Sequence, residues 1–339
     1  MIHGMTSQEG DRGESRSRGT TGVLRRLPAA LALIVLATGC RGGSAGEEAS
    51  PTLPIRVTPT SLSTLAELPL APTRPMPPTA TPGCEGGTGR VEAASYPGAI
   101  VSQDIPFRVY LPPCYDSSAE SYPALYLLHG KPYDESQWDE LGAVEVAEAA
   151  IAVGEWPAFL IVMPRQPEPL FSSTDGGPRS YEAEILEGLL PYVERTYRAD
   201  PVPQGRAIAG ISRGGVWALE IGLRNPEVFG AAAALSPALA VNHPRPAYDP
   251  FRIAAAGGEL PKWVYLGAGE TDWARSDTER LAGSLTAAGA EPRLEILPGG
   301  HDAEYWTSAL QPMMEFLVEG WCGCGATSAD ILTPMPLGN

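Results

Sequence analysis

The sequence predicts a mostly parallel β-sheet with helices packed on both of its faces. Short apolar runs recur along the chain, helical periodicities lie between them, and 43% of the 339 residues are hydrophobic, enough to fill a large core. The runs are Phe107–Leu111, Ala124–Leu128, Phe159–Met163, Arg206–Ile211, Ala231–Leu235, Trp263–Leu266 and Arg293–Leu297. They are rich in Val, Ile, Leu and Tyr and bounded by Pro, Gly or Asp, which is the signature of strands. Between two of them, Tyr181, Ile185, Leu189, Val193 and Tyr197 recur every four residues, with Leu186 and Leu190 beside them, as one apolar stripe on a helix. Val216–Arg224, Thr278–Ala288 and Tyr305–Val318 read as further helices.

The first 39 residues read as an address. Arg25 and Arg26 precede the apolar run Leu27–Ala37, and Ala37-Thr38-Gly39-Cys40 follows. A basic flank, a short apolar stretch and small residues at a cleavage point describe an export signal. The run rises only about 16 Å as a helix, against roughly 30 Å of bilayer hydrocarbon. Small residues directly before a Cys resemble the bacterial lipobox, which predicts lipidation of Cys40 and a body exported and held at the cell envelope by that lipid alone. Residues 40–83 are a Pro/Thr-rich spacer without hydrophobic period, expected to act as a disordered tether. Residues 84–325 form the expected folded domain, and 326–339 a flexible tail.

The chain holds 24 Lys and Arg against 40 Asp and Glu, a net charge of −16, which becomes −18 without the leader. That charge argues against binding nucleic acid or anionic lipid electrostatically.

G-x-S-x-G occurs twice. Gly42-Gly43-Ser44-Ala45-Gly46 lies in the spacer, with no strand or helix around it. Gly210-Ile211-Ser212-Arg213-Gly214 joins a strand to a helix, where a serine is held exposed at a sharp turn between glycines Gly210 and Gly214. A serine nucleophile needs a base, normally His. The chain offers four: His3 in the leader, His129 after an early strand, His243 in a Pro-rich loop, and His301 after the last strand. In the strand-turn-helix arrangement the order is Ser, acid, His, with the His after the final strand, so His301 is the expected base. The acid belongs on the loop after Trp263–Leu266, where Asp272 and Glu270 both qualify, Asp272 preferred. The oxyanion donors are expected to be the backbone N–H groups of Arg213 and of Lys131, since Pro132 has none. His129 then shapes its loop.

Tyr110-Leu-Pro-Pro-Cys-Tyr-Asp116, Tyr122-Pro-Ala-Leu-Tyr-Leu-Leu-His-Gly130, Gly-Ile-Ser-Arg-Gly-Gly215 and Gly-Gly-His301 with Trp306 together resemble the esterase D-like family of α/β-hydrolases. That family includes feruloyl and acetyl-xylan esterases, enterochelin esterases, S-formylglutathione hydrolases and mycolyltransferases. The resemblance spans roughly residues 100–320 and implies an α/β-hydrolase fold and a serine esterase with no metal or other cofactor. The Gly269-x-x-Asp272 spacing resembles the acid loop of feruloyl esterase relatives, whereas mycolyltransferases use a Glu, which keeps Glu270 open. Arg213 and Lys131-Pro132 depart from the commonest family pattern.

Cys84, Cys114, Cys322 and Cys324 make an even set in an exported chain, which predicts disulfides. A Cys322–Cys324 ring would be strained, so one bridge from each of Cys84 and Cys114 to the C-terminal pair is expected. Three functional readings follow: an exported serine ester hydrolase, an acyltransferase acting on sugar or envelope lipid, and a catalytically silent surface binding protein. The substrate expected is a small or carbohydrate-linked ester, and the oligomeric state stays open.

Overall fold

The computed structural model describes residues 87–322. The leader, Cys40, the spacer with its second G-x-S-x-G, Cys84, Cys324 and the tail lie outside the described residues.

Among the described residues, eight strands form one sheet in the order β1-β2-β4-β3-β5-β6-β7-β8. They are β1 (Arg90–Pro97), β2 (Asp104–Leu111), β3 (Ala124–Leu128), β4 (Leu160–Pro164), β5 (Arg206–Ile211), β6 (Ala231–Leu235), β7 (Trp263–Gly269) and β8 (Arg293–Leu297). From β4 to β8 every pairing is parallel, while β1 and β2 add an antiparallel edge. Strands β3, β4, β5 and β6 are buried at every residue, so they read in sequence as unbroken apolar runs. The edge strand β1 went unpredicted because only Tyr96 of its eight residues is buried.

Period-two alternation assigns each central strand's side chains to opposite layers. Tyr126, Leu128 and Ile208 pack with Trp217 and Ile221 of α5 (Arg213–Arg224). Leu125, Leu127, Ala207 and Ala209 pack on the other face with α2 (Ala143–Ala152) and α8 (Ala303–Cys322). A third apolar group joins α5, α6 (Pro250–Ala256) and α7 (Arg275–Ala287) to β6 and β7. The short α1 (Gln137–Glu140), with α2 and α6, was not predicted, and β7 runs three residues further than its apolar run.

The helix expected over 181–197 is α3 (Tyr181–Ala183), a π-helical segment Glu184–Leu189 and α4 (Leu190–Tyr197) in succession. A strict four-residue repeat drifts about 40° per step around a 3.6-residue helix. Wider π turns counter that drift, and Tyr181, Ile185, Leu189, Val193 and Tyr197 are all buried. The buried Glu184 carboxylate in the π segment accepts the amides of Ala99, Ile100 and Val101 at 2.8, 2.8 and 3.2 Å, tying the β1–β2 connection to the helical layer.

Beneath the long connection after β4 lies a buried charge cluster. Glu220 on α5 is fully buried, and Arg224 Nη1 stands 3.8 Å from it and 3.2 Å from Glu182. Burial, with the Glu182 charge adding to it, pushes the Glu220 carboxyl up to about 9, although Arg224 opposes the shift. Its ordinary value is 4.5, so between that pH and about 9 the folded state binds more protons than the unfolded one. Stability therefore falls as pH rises through this window. Glu220→Gln removes the titration. Calorimetry should show a melting-temperature gain over the parent that is small at pH 5 and larger at pH 8; a gain independent of pH would refute this account.

Candidate active site

The G-x-S-x-G corner sits where β5 enters α5. Ser212 takes φ 53° and ψ −115°, a region sparsely populated by residues with a side chain and costing on the order of 1–3 kcal/mol. Two contacts make the corner possible only with glycine. A Cβ on Gly210 would overlap the backbone of Gly214, and a Cβ on Gly214 would overlap the carbonyls of Leu128 and His129. The strained residue is bound on both sides of its peptide. The Ser212 amide donates to Leu235 O at 2.9 Å, and its carbonyl accepts from Val216 and Ala238 at 3.1 and 3.0 Å. The helix begins at Arg213, earlier than the apolar periodicity indicated, so its positive end meets the serine directly.

The chain ends of β7 and β8 bring the other two groups. His301 Nε2 lies 3.0 Å from Ser212 Oγ, and His301 Nδ1 lies 2.9 Å from Asp272 Oδ1. The two loops are knitted together by Thr271, whose amide and hydroxyl both donate to Gly299 O, at 3.0 and 2.8 Å. Asp272 closes a tight turn by donating its amide to Gly269 O at 3.1 Å, and its Oδ1 also accepts from the Ala274 amide at 2.8 Å. Glu270 instead continues the β7–β8 pairing through Leu297 O and is exposed, so of the two acids it is Asp272 that reaches the histidine. Burial by itself would raise the Asp272 carboxyl. Hydrogen bonds from His301 and Ala274 and the Ser236 hydroxyl outweigh burial, and Asp272 stays ionised below the ordinary carboxylate range.

Aromatic rings bracket the imidazole. Trp273 stacks on His301 with centroids 4.4 Å apart and planes 30° apart, and Trp306 meets it edge-on at 5.4 Å. Tyr133, on the loop after β3, packs edge-on against Trp306 at 6.0 Å. Trp273 lies on the connection after β7, and Trp138, Phe171, Tyr248 and Phe251 are further aromatics outside the predicted strands and helices. Of the others, Trp138 is buried in the core, Tyr248 lies under Arg224 and Phe251 under Arg280; the Phe171 side chain is not described.

The loop after β3 runs beside the serine. A Cβ on Gly130 would stand 3.3 Å from Ser212 Cβ, which places the following Lys131 backbone alongside the Ser212 corner. Gln137 Oε1 fixes this loop by accepting the Gly130 amide at 2.7 Å. His129 is buried and shapes the loop, as expected. Its Nε2 accepts the Gln166 amide at 3.0 Å, so Nδ1 carries the proton and donates to Gly130 O at 3.0 Å. Burial lowers its pKa, which keeps it neutral. His243 lines a polar cavity of about 250 Å³ with Ser172, Thr174, Asp175, Arg213 and Asn242. A second cavity of similar size lies beside His129, Tyr133 and Glu168. The larger cavity of about 330 Å³ opens at the opposite ends of β5, β6 and β7 and touches none of these groups.

Sequence reasoning passed over Ser236, which is fully buried, holds φ 50°, and accepts Trp306 Nε1–H at 3.1 Å. Its only sequence signal is its place directly after β6, at the same end of the sheet as Ser212.

Over 218 residues the chain is 28% identical to an endo-1,4-β-xylanase/feruloyl esterase of Xylanibacter ruminicola, a match covering 62% of this chain and 28% of that protein. An esterase of Mycobacterium tuberculosis is 32% identical over 136 residues, 38% of this chain and 28% of its own. The chain thus spans under a third of the length of these two relatives. A solved ferulic acid esterase superposes with a TM-score of 0.63 at 25% identity, covering 69% of this chain and 99% of its own, and the shared fold is that of the α/β-hydrolases. The family model described as "Putative esterase" matches residues 98–317, and the chain belongs to that esterase family.

Proposed function

We propose that this chain is a serine carboxylic-ester hydrolase in which Ser212 is the nucleophile, His301 the general base and acid, and Asp272 the group that orients and charges the imidazole. The observation that carries this reading is the unbroken hydrogen-bonded line from Ser212 Oγ through His301 to Asp272. His301 Nε2 takes the serine proton as Oγ attacks the ester carbonyl. Nδ1–H stays bonded to the ionised Asp272, which stabilises the imidazolium. The amides of Arg213 and Lys131 receive the oxyanion, the first backed by the α5 dipole. His301 then protonates the departing alcohol, leaving an acyl-Ser212 ester. Water, activated by the same imidazole, releases the acid and restores the enzyme.

The names of the relatives support beginning with acetyl and feruloyl esters as substrates. We further propose that the protein works outside the cytoplasm, anchored by lipid on Cys40. The disulfide-bonded state of Cys114 supports an oxidising compartment, with Cys84, Cys322 and Cys324 as the other members of the expected bridges. No helix among the described residues is long and apolar enough to cross a membrane.

Ser212→Ala should abolish both 4-nitrophenyl acetate hydrolysis and fluorophosphonate labelling while leaving the circular dichroism spectrum intact. His301→Ala should cost at least about a thousandfold in kcat. Activity retained in folded Ser212→Ala would sink the assignment.

Asp272 adds a pH signature. Its pKa is lowered on folding, so its contribution to stability is complete above the unfolded value near 3.8 and is lost as pH falls through the folded value. Denaturant titration of Asp272→Asn should therefore show a shallower loss of stability below about pH 4 than the parent shows. Parallel acid limbs in the two proteins would contradict the ionised, hydrogen-bonded carboxylate.

A further inference from the structure

Asp272 leaves one polar atom unaccounted for. Its Oδ1 takes His301 and Ala274, whereas Oδ2 is buried and is reached by neither of them. A buried carboxylate oxygen without a donor is costly, and native proteins supply one. The adjoining group that can donate is the hydroxyl of Ser236. An indole N–H is only a donor, so in the 3.1 Å contact with Trp306 Nε1 the Ser236 oxygen must be the acceptor. Its own proton then remains to be given elsewhere. Ser236 is also held at φ 50° while donating its amide to Gly267 O at 2.7 Å. Left-handed backbone at a non-glycine residue persists where surrounding contacts over-determine it, often beside functional groups.

We propose that Trp306 and Ser236 are positioning residues for the acid of the site: the indole N–H fixes the Ser236 hydroxyl so that its proton is donated to Asp272 Oδ2. This inference rests on the esterase reading above. It makes the site a five-residue line of directed hydrogen bonds, Trp306 to Ser236 to Asp272 from one side and Ser212 to His301 to Asp272 from the other. The Trp306 ring also touches His301 and Tyr133, so one indole sets the charge of the acid, the plane of the base and the packing of the loop beside the nucleophile. The influence on Asp272 agrees in direction, since Ser236 helps to hold the carboxylate ionised.

The test uses the full-length protein and four variants, Ser236→Ala, Ser236→Thr, Trp306→Phe and the double Ser236→Ala/Trp306→Phe. Trp306→Phe keeps an aromatic ring against His301 while removing the N–H together with part of the indole. Loss of a hydrogen bond to a charged group predicts a fall in kcat of about ten- to a hundredfold in Ser236→Ala, with KM within about twofold. Ser236→Thr, which keeps the hydroxyl, should recover most of the rate. The double variant should be no slower than Ser236→Ala, because both changes cut the same line. The far-downfield proton resonance of His301 Nδ1–H should move in Ser236→Ala and Trp306→Phe alike. Full kcat in Ser236→Ala with an unmoved Nδ1–H resonance overturns the proposal, as do multiplicative losses in the double variant. The esterase reading fails separately, by activity persisting in Ser212→Ala. If Ser236→Ala does not fold, Trp306→Phe and Ser236→Thr decide by the same resonance and the same kcat-to-KM split.

Discussion

Everything at the site depends on how closely β5 and α5 approach at one corner. Gly210 and Gly214 have backbone where any other residue would need space for a Cβ, and Ser212 is held between them in a conformation that its own chain disfavours. That cost is tolerated because the corner is fixed by other elements: Leu235 at the end of β6 takes the serine amide, and Ala238 beyond it holds the serine carbonyl. The strained residue is thus held by contacts outside its own turn. The side chain is therefore presented at the positive end of a helix before any chemistry begins.

The sheet does the rest by parallel alignment. In a parallel sheet all the strand ends of one sense lie on one edge, so the loops after β3, β5, β6, β7 and β8 gather there. Those five loops supply Gly130-Lys131, Ser212, Ser236, Asp272 and His301. Residues nearly ninety positions apart in sequence thereby come within hydrogen-bonding distance. Each loop is pinned by its own contacts, Gln137 on Gly130 and Thr271 on Gly299, so the precision of the site is distributed over several small locks.

Electrostatics divides the ionisable groups by environment. Asp272 is buried yet ionised, because donors converge on it; Glu220 is buried and raised to about 9, because burial, reinforced by the Glu182 charge, outweighs the opposing pull of Arg224. His129 is buried and neutral, spent on holding a loop, while His301 lies between two indoles with both nitrogens engaged. Residue type alone does not separate these roles.

Sequence determined a good deal about this protein. Seven of the eight strands were legible: β3 to β6 because parallel strands buried on both faces must be apolar throughout, and β2, β7 and β8 from shorter apolar or alternating runs, whereas β1 buries only Tyr96 and shows no such run. The meeting of Ser212 with His301 was legible because the strand-turn-helix corner and the place of His301 after the last strand bring both to one end of the sheet, and four histidines leave little choice. The acid could be narrowed only to Glu270 or Asp272, since both lie on the right loop; the turn that returns the Asp272 amide to Gly269 O decides which carboxylate faces inward. The strict four-residue stripe of 181–197 predicted a helix but not its π segment, which follows from packing five side chains on one sheet. Ser236, Trp306 and Trp273 carry no spacing that marks them, because their roles come from distances across strands β6, β7 and β8. Local pattern fixes what each segment becomes, and long-range contact alone fixes which of its residues meet.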